Sequence, residues 1–168
     1  GIHVLVEKPI TNSLQTATAL AALADKHRRV LQVGHIERFS STYRALAQEV
    51  TRPLYIESYR VSPWKQRSGE VDVVLDLMIH DIDIIQGLVG LPATTVHAVG
   101  MPVINPTADL ANARIVFGTA CVATITASRI SYKTERRIRV FQPNSYVIGD
   151  FANNRVESYS ACGDPSTA

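Results

Sequence analysis

The hydrophobic period of this chain changes at Pro92, and that change constrains the fold more than any other feature. Before Pro92, apolar residues come in short runs or at helical spacing, with one alternating stretch at 55–61. After it they recur at every second position. Periods of 3.6 and 2 belong to different elements, so the chain reads as α+β, with a short parallel βαβ piece and helices first and an open antiparallel sheet after. The candidate strands are 94–101, 111–117, 120–129, 135–141 and 145–150. Phe117-Gly118-Thr119-Ala120 and Asn144-Ser145 mark tight turns, and strands joined by hairpins pair antiparallel.

Upstream, His3-Val4-Leu5-Val6 is a short apolar run consistent with a buried parallel strand, ended by Glu7-Lys8-Pro9 because proline cannot continue a central strand. Asn12 or Ser13 can cap an alanine-rich helix over 14–24. Val30-Leu31-Gln32-Val33-Gly34 is a second strand, and strand–helix–strand in this length is a parallel βαβ unit. Ser40 or Ser41 can cap a helix through Tyr43, Leu46, Ala47 and Val50. Residues 55–61 alternate as a strand with one wet face. A loop over 62–69 carries Trp64, Lys65 and Arg67. Asp72 can cap a helix from about 73 to 89 that is apolar nearly all round, the mark of burial, and Gly90 with Pro92 stops it.

Composition narrows the class. With 168 residues, 46% hydrophobic, there is enough chain for a domain with a real core. Charged residues are 19%, a low share that suits a protein burying extra surface in an oligomer, and the net charge of +2 gives no reason to expect nucleic acid or an anionic membrane as partner. Arg136-Arg137-Ile138-Arg139 reads as the wet face of a strand. Cys121 and Cys162 show neither metal spacing nor a disulfide framework, so a reducing cytoplasm is expected, and no signal peptide or membrane-length apolar run is visible. Residues 156–168 are small, polar and unpatterned, and are expected to be a tail without structure.

Asp76 and His80 lie four apart on one face of the apolar helix, and Asp83 extends that polar stripe. A carboxylate beside a histidine orients the ring and raises its basicity. Burying Asp72, Asp76, His80, Asp81 and Asp83 among aliphatics is costly without partners. The plainer alternative is a capping Asp72 with carboxylates tied to backbone amides or arginines. Glu7-Lys8-Pro9 falls at the C-terminal end of a parallel strand, where open α/β sheets bind ligands. Lys8 is there either to reach a ligand or as a solvated turn residue. His35 and Arg38 follow the second strand at the same edge. A metal site of His35, His80 and an aspartate, serving a hydrolase, is a further alternative, although a histidine near a parallel-sheet edge more often binds substrate or packs.

Taken together, three segments resemble the Gfo/Idh/MocA oxidoreductase family. They are His3-Val4-Leu5-Val6-Glu7-Lys8-Pro9, Val33-Gly34-His35-Ile36-Glu37-Arg38-Phe39, and Val73-Val74-Leu75-Asp76-Leu77-Met78-Ile79-His80-Asp81-Ile82-Asp83. The resemblance continues through Thr126-Ala127-Ser128-Arg129 to about Asp150, and within the family leans toward bacterial nucleotide-sugar members. It implies an NAD(P)-dependent oxidoreductase acting on a sugar or nucleotide-sugar hydroxyl. Lys8, Asp76 and His80 would be catalytic, with Glu7, Lys8 and Pro9 against the cofactor. His35, Arg38, Trp64, Lys65, Arg67 and Asp83 would line the substrate pocket, no metal would be needed, and the open sheet would form a dimer or tetramer face.

The family's Rossmann half carries a Gly-x-Gly-x-x-Gly turn that seats the pyrophosphate at a helix N-terminus, and no such spacing occurs in these residues. The resemblance therefore implies that 1–36 is the C-terminal remnant of a dinucleotide-binding domain and 37–155 the substrate-binding and dimerisation domain. The chain is expected to be a fragment, inactive alone, binding NAD or NADP only with the missing half. A non-catalytic dimerisation or sugar-binding module of the same fold is the competing expectation.

Overall fold

A computed structural model describes residues 1–65 and 71–161. Arg67, Cys162 and the rest of the expected tail beyond Ala161 lie outside the described residues. The chain divides into two compact units, Gly1–Ile36 and Glu37–Ala168.

In the first unit, β1 (Val4–Glu7) and β2 (Leu31–Gly34) run parallel, with Val4 opposite Leu31 and Glu7 opposite Gly34. Between them lies α1 (Leu14–Lys26), whose N-cap is Ser13: its side chain accepts the Thr16 N–H at 3.4 Å. The Lys8–Pro9 peptide bond that follows β1 is cis. Gly34 is in close approach to the Glu7 carboxylate, which a Cβ there would meet at 3.2 Å.

The second unit is built on one seven-stranded sheet. Its strands are β3 (Tyr55–Val61), β4 (Thr95–Met101), β5 (Leu110–Phe117), β6 (Cys121–Ser128), β7 (Glu135–Gln142), β8 (Ser145–Asp150) and β9 (Arg155–Ser160), in the order β4-β5-β6-β3-β7-β8-β9. The alternation after Pro92 thus becomes strands within one or two residues of expectation. Two features differ. β6 and β7 are not hairpin neighbours, because β3 lies between them, antiparallel to β7 but parallel to β6. The long excursion from β3 to β6 makes this possible, since a parallel pair needs a crossover. Residues 155–160, largely assigned to an unstructured tail, form β9 on β8. The Asp150 carboxylate accepts the Ala152 and Asn153 N–H groups at 3.0 and 3.1 Å, Asn154 takes φ +53°, and the chain turns back. Tyr159 then stacks on Tyr146, ring centroids 4.9 Å apart.

One face of this sheet is covered. α2 (Ser41–Glu49), with Ser40 as N-cap, lays Leu46 over Gly149, where a Cβ would come within 3.1 Å of it. The expected helix over 73–89 is two segments, a π-turn (Val74–Met78) followed by α3 (Ile79–Val89), ended by Gly90 at φ +67°. Asp72 starts it as expected, accepting the Val74 N–H at 2.8 Å. Met78, Ile84 and Ile85 share one core with Ile56, Ala123, Ile125, Ile138, Val140 and Val147, all fully buried or nearly so.

The other face is open, and the strand register sorts it into rows. Val116, Val122, Tyr55, Phe141, Tyr146 and Tyr159 make an apolar row across six strands. Beside it run Arg114, Thr124, Glu57, Arg139, Ile148 and Glu157, a row of mixed charge.

Candidate active site

Glu7 ends β1, and half-buried Lys8 follows at the C-terminal end of the parallel pair. Half-buried His35 lies just past the end of β2, its N–H bonded to the Val33 carbonyl at 2.9 Å. The Glu7 carboxylate lies over Gly34, the cradle a Cβ would fill. These residues suit the nicotinamide end of a dinucleotide. The glycine turn that would hold its pyrophosphate is not among the 168 residues.

In the second unit, Asp76 lies in the π-turn and His80 is the second residue of α3, both half-buried. Four residues of helix place them about 6 Å apart along the axis. On a pure α-helix such residues diverge by roughly 40° around it. The wider π winding takes up part of that angle, so the pair stays closer to a single line.

Arg38 and Asp83, both expected to meet substrate, are joined to each other. Arg38 Nε donates to Asp83 Oδ2 at 2.7 Å, and Nη2 donates to the Asp83 carbonyl at 3.0 Å. Gly87 permits this: a Cβ there would meet the Tyr43 hydroxyl at 2.5 Å and Arg38 Nη1 at 3.0 Å. A mid-helix glycine, costly by about 1 kcal/mol against alanine, was the sequence sign of this close approach. Trp64 and Lys65 are exposed on the loop leaving β3, whose Ser62 N–H bonds the Ser128 carbonyl at 2.9 Å.

Asp81 is not part of the Asp76–His80 line. Its carboxylate is 2% exposed and takes Arg60 Nε at 2.9 Å, while Arg60 Nη1 reaches Glu37 at 3.2 Å. Burial pushes the Asp81 carboxyl up, against the pull of Arg60. Sequence reading missed Arg60 as a partner, although alternation alone places it on the buried face with Ile56 and Ser58. Among the described residues, no group of three His, Cys, Asp or Glu side chains is placed to hold a metal ion, and no helix is long and apolar enough to cross a membrane.

Comparison with known proteins defines the class. Residues 31–147 match the GFO/IDH/MocA C-terminal domain, and residues 1–35 match the oxidoreductase family with an NAD-binding Rossmann fold. The chain belongs to the Gfo/Idh/MocA oxidoreductase family. It is 38% identical to UDP-N-acetylglucosamine 3-dehydrogenase of Acidithiobacillus ferrooxidans, over 95% of this chain and 51% of that protein. A solved structure of that dehydrogenase superposes with a TM-score of 0.89, covering 95% of this chain and 54% of that one. It is 29% identical to scyllo-inositol 2-dehydrogenase (NAD(+)) of Bacillus subtilis, over 97% of this chain and 53% of that one. The WlbA dehydrogenase of Bordetella pertussis, solved with NADH and UDP-GlcNAcA, shares the fold at a TM-score of 0.83 and 19% identity, covering 98% of this chain and 54% of that one. The chain spans about half the length of these relatives.

Proposed function

We propose that this chain is the substrate-binding and dimerisation part of an NAD(P)-dependent oxidoreductase that oxidises a hydroxyl of a sugar, with a UDP-sugar the favoured substrate. The observation that carries the reading is the Asp76–His80 line on the π-turn and α3, in a chain that aligns over 95% of its length with a UDP-N-acetylglucosamine 3-dehydrogenase.

The mechanism follows from the residue types. A bound nicotinamide supplies the hydride acceptor. His80 takes the proton from the substrate hydroxyl as the carbon–hydrogen bond breaks, and Asp76 holds the imidazole and favours its protonated form. Lys8 polarises the same oxygen, and Glu7 and Pro9 shape the turn that presents it. His35, Arg38, Trp64, Lys65, Arg67 and Asp83 bind substrate. The open sheet face pairs two copies: its apolar row excludes water, and its alternating charges suit an isologous contact.

The test is kinetic, on the protein joined to its dinucleotide-binding half. NADH formation with UDP-N-acetylglucosamine should fall ~10²–10⁴-fold in His80→Asn and Lys8→Met. Unchanged kcat in His80→Asn would remove it as the base.

A further inference from the structure

Two ion-pair connections lead from a single 3-10 turn to the α3 residues that follow His80, one directly and one through β3. The turn (Ile36–Phe39) carries Glu37 and Arg38. Arg38 holds Asp83, three residues after His80, through both its carboxylate and its carbonyl, at 2.7 and 3.0 Å. Glu37 holds Arg60 at 3.2 Å, and Arg60 in turn grips Asp81, the residue after His80, with Nε at 2.9 Å and Nη2 at 2.8 Å. Ser58 lies on the same buried face of β3 as Arg60.

The burial of this network is what needs explaining. The Arg60 and Asp81 side chains are 4% and 2% exposed. Taking two charges out of water consumes much of what their attraction returns, and a well-packed apolar pair often gives equal or greater stability. What an apolar pair cannot give is direction. The arginine fork has a fixed planar geometry, so one guanidinium bridging two carboxylates fixes the rotation and height of everything attached to them. Asp81 points into the sheet while His80 faces elsewhere on the same turn, so locking Asp81 to β3 sets the azimuth of His80. The Arg38–Asp83 pair, reaching the helix on a further face, blocks rolling about the first.

The geometry assigns Arg60 the role of positioning residue for His80, acting through Asp81 and Glu37. This rests on the reading of His80 as the proton acceptor, but its test does not require turnover. The 168-residue chain is labelled with ¹⁵N-histidine, and the imidazole signals of His80, assigned with His80→Gln, are followed by NMR across pH. In Arg60→Met the tautomer ratio and titration midpoint of His80 should move. Arg60→Lys should not restore them, because one ammonium cannot span both carboxylates.

The double variant Arg60→Met/Asp81→Leu separates positioning from stability. Its thermal midpoint should recover toward wild type while His80 stays displaced. Should His80 recover together with the melting temperature, or never move in Arg60→Met, the assignment falls. In the joined enzyme, loss of activity in Arg60→Met but none in His80→Asn would instead overturn the role of His80 and leave the brace standing.

Discussion

The Arg129 guanidinium donates to the Asp109 carboxylate across 2.8 Å, with both side chains sealed from solvent. The same carboxylate accepts the N–H groups of Val103, Ile104 and Asn105 at 2.6 to 3.0 Å, while Arg129 also donates to the carbonyls of Val71 and Ala108. The knot ties the loop before β5 to the residue preceding Asp72, and so to the start of the π-turn.

Acid stability should report this knot. Burial pushes the Asp109 carboxyl up, but the hydrogen bonds from Asn105, Ile104 and Val103 outweigh it and hold the group well below the usual carboxylate range. A depressed folded value contributes stability above the unfolded value of about 3.9, and loses it as pH falls toward the folded one. Asp109→Asn should therefore be less stable at pH 7 and lose stability less steeply below pH 4. Urea melts between pH 2 and 7 measure both. Parallel curves for the two proteins would contradict the assignment.

Gly149 sets how closely α2 lies on the sheet, because a Cβ there would stand 3.1 Å from Leu46 Cδ2 and 3.3 Å from Phe151 Cε2. Gly149→Val should cost about 1–3 kcal/mol through overpacking, read as a lowered thermal midpoint. Leu46→Ala leaves a cavity at the same place and should cost about 2–5 kcal/mol.

These contacts mark where sequence reading succeeds and where it stops. Alternation fixed the faces of β5 through β8, since a strand has only two sides. It could not say that β3 would sit between β6 and β7, because Tyr55–Val61 alternates equally well beside any neighbour. It missed β9, whose Arg155, Glu157 and Tyr159 share the open face but carry too little apolar character to announce a strand. At the candidate site, the Asp76–His80 line was legible from spacing. The π-turn was not, and the pairing of Arg38 with Asp83 spans 45 residues that no local pattern connects.

The lone described thiol gives a probe of opening. Cys121 is buried, and burial alone pushes its thiol up to about 11. In a Cys162→Ser background, a disulfide reagent at pH 8 should modify Cys121 only on the timescale of unfolding. Reaction at the rate of a free thiol would show that β6 opens far more readily than its burial implies.

The open face predicts association. Ile148 lies between Arg139 and Glu157 in the mixed-charge row, next to Tyr146 on β8. If two copies meet on this face, Ile148→Asp should convert a dimer to a monomer by light scattering with unchanged circular dichroism. A wild-type chain that is already monomeric at micromolar concentration would refute the pairing.

The place of β3 in the sheet also sets a timetable for synthesis. Both of its partners come later in the chain, and its Tyr55 hydroxyl meets Thr124 from 69 residues away. At translation rates of about 5–20 residues per second, β3 leaves the ribosome on the order of ten seconds before β7 can cover its second edge. Until β6 emerges, Ile56 and the backbone of β3 have no sheet to join, and a nascent chain at this stage is the species a chaperone would meet.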